Sequence, residues 1–208
     1  MTPEIRAIAD RFILDTANLK YLATALPKGG LEREVPDSEW SVRQLLRHLV
    51  DSLERYVELS GAFLERGDVP AGLDTTECNA MTAEAARKTT LPALLGRCDA
   101  ALSALLGLLA AMPEEAAGQP FGPLRFGDAL GAWSKHTVRH GLDLVDAVEE
   151  LRLDPMALNW ILHADFSADA ALLARQQHLL AEVRDHLAGD GDDWDDEDGW
   201  EEGEDEAL

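Results

Sequence analysis

Basic residues are scarce: 18 Lys and Arg stand against 40 Asp and Glu, a formal net charge of −22 over 208 residues. A surface that tracks phosphates is therefore not expected, and neither is binding to nucleic acid or to an anionic membrane. Only two cysteines occur, Cys78 and Cys98, and they form no CxxC pair. That excludes a disulfide framework and a zinc ribbon. No leader is expected, since Met1-Thr2-Pro3-Glu4 starts no basic and then apolar stretch. The longest uncharged run, Ala100 to Pro113, is too short for a span of about 20 residues. A cytoplasmic protein is expected. Strand-like alternation is missing too, while 46% hydrophobic content excludes wholesale disorder.

What is present is helical periodicity, so the expected fold class is all-α. A first helix is predicted from Pro3 to Leu26, capped by Thr2, and Pro27-Lys28-Gly29-Gly30 stops it. A second starts at Ser41, whose hydroxyl and Gln44 match a capping box, and runs to about Phe63. Residues 67–89 form a long connection, with a helical turn near Thr82 to Arg87. A third helix, Leu91 to Met112, is rich in Ala and Leu and reads as deeply buried. After a loop with a turn at Phe121-Gly122-Pro123, a fourth runs from Asp128 to Leu151. Asp154 and Ser167 are read as the caps of two further helices.

Four long helices imply a bundle. The connection of about 20 residues between the second and third exceeds the usual 2–8, so a crossover is expected, with those two helices parallel. The organisation is read as a bundle over 1–152, a helical extension over 153–188 and an acidic tail over 189–208. Residues 190–208 carry 12 acids and no base, a composition that favours disorder.

Among six histidines, His136 and His140 stand four apart. On a helix that spacing leaves two rings within about 40° of one face and about 6 Å apart along the axis. Such a pair can chelate one transition metal, although fifteen possible pairs also leave room for coincidence. His48 lies mid-helix among Leu45, Leu46, Leu49 and Val50. It reads either as a core histidine bonded to a carbonyl or as a third ligand from a facing helix. Three histidines with an open fourth position make a catalytic type of metal site. Asp51 and Asp143 each follow a histidine by three, and either can orient a ligand ring; Trp133 shares the face of the pair. A solvated face accounts for them equally. His163, His178 and His186 are read as ordinary helix residues. Trp160 and Phe166 are expected to pack the short helix onto the bundle. Trp194 and Trp200 sit in a tail read mainly as solubilising.

Trp40-Ser41-Val42-Arg43-Gln44-Leu45-Leu46-Arg47-His48-Leu49-Val50-Asp51 resembles the second-helix motif of the DinB/YfiT-like superfamily. Trp133-Ser134-Lys135-His136-Thr137-Val138-Arg139-His140-Gly141-Leu142-Asp143 resembles its fourth-helix motif. The N-terminal domains of mycothiol-dependent maleylpyruvate isomerases are similar as well. The resemblance covers about residues 1–151. It implies a four-helix bundle with a crossover, holding a divalent metal, often zinc or nickel, on His48, His136 and His140. In the isomerase branch the first fourth-helix ligand is commonly Glu; His136 here is closer to the YfiT-type triad. The implied activity is a metal-dependent hydrolase or a low-molecular-weight-thiol-dependent transferase, with that thiol as a second cofactor. The alternative is a non-catalytic metal- or small-ligand-binding protein or a stress-related interaction protein. The expected partner is a small-molecule substrate, and a homodimer is allowed.

Overall fold

The computed structural model describes residues 1–67 and 75–189. The expected acidic tail, with Trp194 and Trp200, lies outside the described residues. Local chemistry sets most helix starts. Thr2 Oγ1 accepts the Ile5 N–H at 3.3 Å and opens α1 (Pro3–Ala25). Ser41 and Gln44 close their capping box, the Gln44 side chain accepting the Ser41 N–H at 2.8 Å, and open α2 (Val42–Arg66). Thr90 caps α4 (Leu91–Ala111), and Asp154 caps α6 (Pro155–Leu162) through the Met156 and Ala157 N–H groups. Each cap satisfies a donor that the first helical turn leaves without a partner.

Four differences from the sequence reading have physical causes. The helical turn expected near Thr82 is a full helix, α3 (Thr75–Ala86), which packs on α2 and buries Thr82 and Ala86. The loop before α5 (Phe126–Ala147) folds a hairpin, β1 (Pro120–Phe121) with β2 (Leu124–Arg125), because Gly122 takes φ +61° at its turn. Ser167 is not the cap of α7 (Ala170–Gly189). Asp169 takes that place, accepting from the Ala171 and Leu172 N–H groups at 3.1 Å, while Ser167 donates its own N–H to Asp165.

The fourth difference is α4, which is not deeply buried. By length and composition it is apolar enough to cross a membrane, yet only 28% of its most apolar window is buried. Leu94, Cys98, Ala101, Leu105 and Leu109 form one inward stripe. Arg97 bonds Glu54 and Asp51, and Asp99 bonds Lys20, which ties the helix into the bundle.

The bundle consists of α1, α2, α4 and α5, with α4 against α2 and α1, and α5 against α1 and α2. Leu46 and Val50 face Leu91 to Leu95, and Gly61 approaches Leu108, so α2 and α4 run parallel as the long crossover requires. His48 meets α5 at His136 while Phe63 meets it at Phe126, so that pair is antiparallel. Leu49, Leu53, Leu105, Leu142 and Val145 fill the centre. The burial of each Leu contributes about 2 kcal/mol. Phe12 of α1 stacks on Trp133 of α5, ring centroids 4.7 Å apart.

In the extension, α6 packs on α5 and α1, and α7 packs on α6. Its anchor is Trp160, which lies directly over Gly141; a Cβ there would stand 2.5 Å from the indole ring. Trp160 and Phe166 are both buried and join the core.

Candidate metal centre

The antiparallel approach of α2 and α5 brings His48, in the second turn of α2, onto His136 and His140 near the middle of α5. Their Nδ1 or Nε2 atoms, one from each ring, lie within 4.8 Å of one another, the set among the described residues with this convergence. His48 Nε2 and His136 Nε2 are 3.0 Å apart. Two nitrogens bound to one metal at about 2.1 Å stand about 3.0–3.4 Å apart for angles between a right angle and a tetrahedral one, so the contact fits joint coordination. The three rings are mutually edge-on, with centroids 4.5–5.3 Å apart.

All three rings are half-buried, and for His48 and His136 burial disfavours the charged form. Burial first, and then the neighbouring His140, pushes His48 down to about 4 against a weaker opposing pull from Asp51. Burial, with His140, His48 and Arg139 adding to it, pushes His136 down to about 3. Two of the three imidazoles are thus neutral at pH 7, as a metal ligand must be.

His140 is oriented from behind. Its Nδ1 lies 2.7 Å from Asp143 Oδ2, which fixes that nitrogen as the donor and leaves Nε2 to face the other rings. Burial would raise the Asp143 carboxyl, but hydrogen bonds from His140 and Arg175 outweigh it and hold the group below the ordinary range. Arg175 comes from α7 and also grips Asp146. On the other side Trp40 lies against His48 at 4.9 Å between ring centroids. The strap before α2 holds it there, through Val35 N–H to Trp40 C=O at 2.8 Å.

A cleft of about 280 Å³ reaches His140 from the surface, between Val35–Trp40 and the Arg139–Asp146 stretch of α5, with Arg175 at its edge. Arg139 lines it beside His140.

The predicted orienting residues divide. Asp143 does hydrogen-bond a histidine, His140. Asp51 does not: its carboxylate is taken by Arg47 at 2.7 Å, Arg97 at 2.6 Å and Thr82 at 2.8 Å. It turns toward α3 and α4, where two guanidinium groups outcompete one imidazole. Trp133 lies in the core against Phe12, and its indole N–H has no hydrogen-bond partner. His163 bonds the Asn159 carbonyl and His178 stands 3.3 Å from Glu182; neither joins the cluster. The sequence reading did not single out Trp40 or Arg175. Trp40 has a signal, its place beside the capping box, eight residues ahead of the motif histidine. Arg175 has none, since it is remote in sequence and sits in no motif.

Comparison with curated proteins and with solved structures returned no match. A family match does exist, and it spans α2, α3, α4 and nearly all of α5, including the three histidines, while ending before the extension. Over residues 15–145 the chain matches the mycothiol maleylpyruvate isomerase N-terminal domain, and it therefore belongs to that family, within the DinB/YfiT-like superfamily.

Proposed function

We propose that His48, His136 and His140 bind one divalent metal, zinc or nickel, and that the protein is a metal-dependent enzyme acting with a low-molecular-weight thiol. The observation that carries the reading is the convergence of three imidazole nitrogens from two helices, two of the rings held neutral and the third oriented by Asp143. The donor set fits a borderline-soft divalent ion, for which imidazole is a preferred ligand. Such an ion, bound by neutral ligands alone, keeps its double positive charge and lowers the pKa of a bound thiol or water.

The remaining roles fall to this chain's own groups. His48 and His136 stay unprotonated and present lone pairs inward. Asp143 holds the His140 proton on Nδ1. The Val35–Trp40 strap and α5 form the walls that admit a small molecule to His140. Arg139, at the same wall, offers a cation to an anionic group of the incoming molecule.

Thiol transfer is preferred over hydrolysis because the matched family is named for a mycothiol-dependent enzyme. Hydrolysis is the second reading, since the same donor set serves a bound water equally well. The test is to load the full chain with zinc or nickel and assay it on two panels: thiol conjugates with and without free thiol, and esters and amides. Thiol-dependent turnover that disappears on chelation supports the proposal. Metal-dependent ester or amide hydrolysis without thiol replaces it with the second reading. Stoichiometric metal with no turnover on either panel points to a binding protein. We assign the protein to the cytoplasm, in keeping with Cys78 and Cys98 remaining as free thiols.

A further inference from the structure

The helical extension lies outside the residues that match the family, yet one of its side chains closes onto the histidine cluster. Arg175 Nη2 donates to Asp143 Oδ1 at 2.8 Å and to Asp146 Oδ2 at 2.5 Å, and its Nε donates to the same Asp146 oxygen at 3.1 Å. Asp143 uses its other oxygen, Oδ2, for His140 Nδ1 at 2.7 Å. One carboxylate is therefore held between a metal-binding histidine and a guanidinium from another element. Asp143 and Asp146 stand three apart on α5 and present two like charges to the same space. A planar guanidinium meets two carboxylates at once, which a point-charge ammonium does less well.

We propose that Arg175 is a positioning residue for the metal centre: by clamping Asp143 against Asp146 it fixes the carboxylate that orients His140, so that α7 completes a site whose ligands all lie on α2 and α5. The inference rests on the three-histidine metal reading. Its physical basis is that an unclamped Asp143 can rotate off the imidazole, freeing the ring to turn and to change tautomer. Partners of metal-binding histidines typically carry a tenfold to hundredfold effect on affinity. Arg175 acts one bond further out, so the lower end, roughly tenfold, is expected.

Two other features of α7 bear on the control. Gln176 holds the helix to α6 through the Ile161 and Ala164 carbonyls at 2.7 and 3.0 Å. Arg152, just past α5, bonds Glu182 at 3.5 Å. Removing Arg152 loosens the docking of α7 without touching Asp143.

The experiment titrates cobalt(II) into the metal-free full chain and into Arg175→Met, Arg175→Lys, Arg152→Met and His48→Ala, with dissociation constants from chelator competition and the cobalt d–d spectrum as second readout. Arg175→Met is expected to weaken cobalt binding roughly tenfold and to shift the visible band, since His140 is no longer held. Arg175→Lys should recover part of both, and Arg152→Met should match the parent. Wild-type affinity and spectrum in Arg175→Met overturn the inference. So does an equal loss in Arg152→Met, which reduces the effect to docking of α7. Should Arg175→Met fail to fold, Arg175→Lys decides: about a threefold loss with an altered band supports the inference, parent values overturn it. Failure of the underlying reading looks different, because then the parent binds no cobalt or His48→Ala binds it as the parent does.

Discussion

Helix α5 carries two clusters of polar side chains, one toward α1 and α6, the other toward α2. On the first side, Asp15 is fully buried and saturated. Trp160 Nε1 donates to its Oδ1 at 2.9 Å, and Ser134 Oγ at 2.5 Å and Arg11 Nε at 3.0 Å donate to its Oδ2. On the second side, His48, His136 and His140 turn nitrogens toward one another. The Asp15 cluster pairs donors with an acceptor, and the result is a joint between α1, α5 and α6. The histidine cluster gathers like groups, and burial drives two of them to the neutral, electron-donating form. Internal complementarity marks a structural contact; convergence of like donors is what the proposed metal site rests on.

That contrast is breakable by mutation, and the largest expected stability effect lies on the Asp15 side. Asp15→Ala leaves the Trp160 N–H and the Ser134 hydroxyl buried without their acceptor, which costs about 2–4 kcal/mol. Urea unfolding followed by circular dichroism should show this loss, while nickel or cobalt affinity stays within about threefold of the parent. A large loss of metal affinity with unchanged stability would exchange the roles assigned to the two clusters.

Gly141→Ala presses on the same joint from α5. The added methyl meets Trp160 at 2.5 Å, and the ring must shift, at about 1–3 kcal/mol. Lower thermal stability together with a changed tryptophan emission checks it; unchanged stability would mean that Trp160 yields freely.

The metal-free protein should lose stability as pH falls from about 6.5 toward 4. His48 and His136 have depressed pKa values when folded, so in that window the unfolded chain binds protons that the folded chain does not. Stability therefore rises with pH across it and is fully present above the unfolded value of about 6.5. Urea midpoints of the chelated protein at pH 7 and pH 5 test the sign. His136→Gln should flatten the slope, and an unaltered slope would show that these rings do not control it. The smallest expected effect is that of His178→Ala. This histidine is mostly exposed and lies beside Glu182, so neither stability nor metal affinity should change measurably.

How much was readable beforehand follows the distance over which each interaction acts. Thr2, the Ser41–Gln44 box and Asp154 act within one helical turn, and their helices start where the residues imply. The parallel course of α2 and α4 follows from connection length. The gathering of His48 with His136 and His140 was legible because one motif places a histidine and the other a pair of histidines on a defined helix face, and antiparallel packing does the rest. Ser167 misled because the competing cap, Asp169, lies two residues on. The burial of α4 misled because an Ala- and Leu-rich composition does not reveal that one face carries mainly small side chains left toward solvent. Asp51 and Asp143 have the same offset from a histidine, and only the neighbours that tertiary structure supplies decide which of them reaches the ring. Asp15 and Arg175 were hidden for the same reason: their partners come from segments far away in sequence.

The most direct test of the central claim is the metal stoichiometry and affinity of the purified full chain beside its His48→Ala, His136→Ala and His140→Ala variants, read by calorimetric titration with nickel or zinc. One metal per chain, a higher melting temperature on binding, and a loss of at least about a hundredfold in affinity in each variant are expected, since each removes one of three ligands. A His48→Ala protein that binds one equivalent at the parent's affinity would contradict the three-histidine site and return His136 and His140 to a pair of neighbours on a helix.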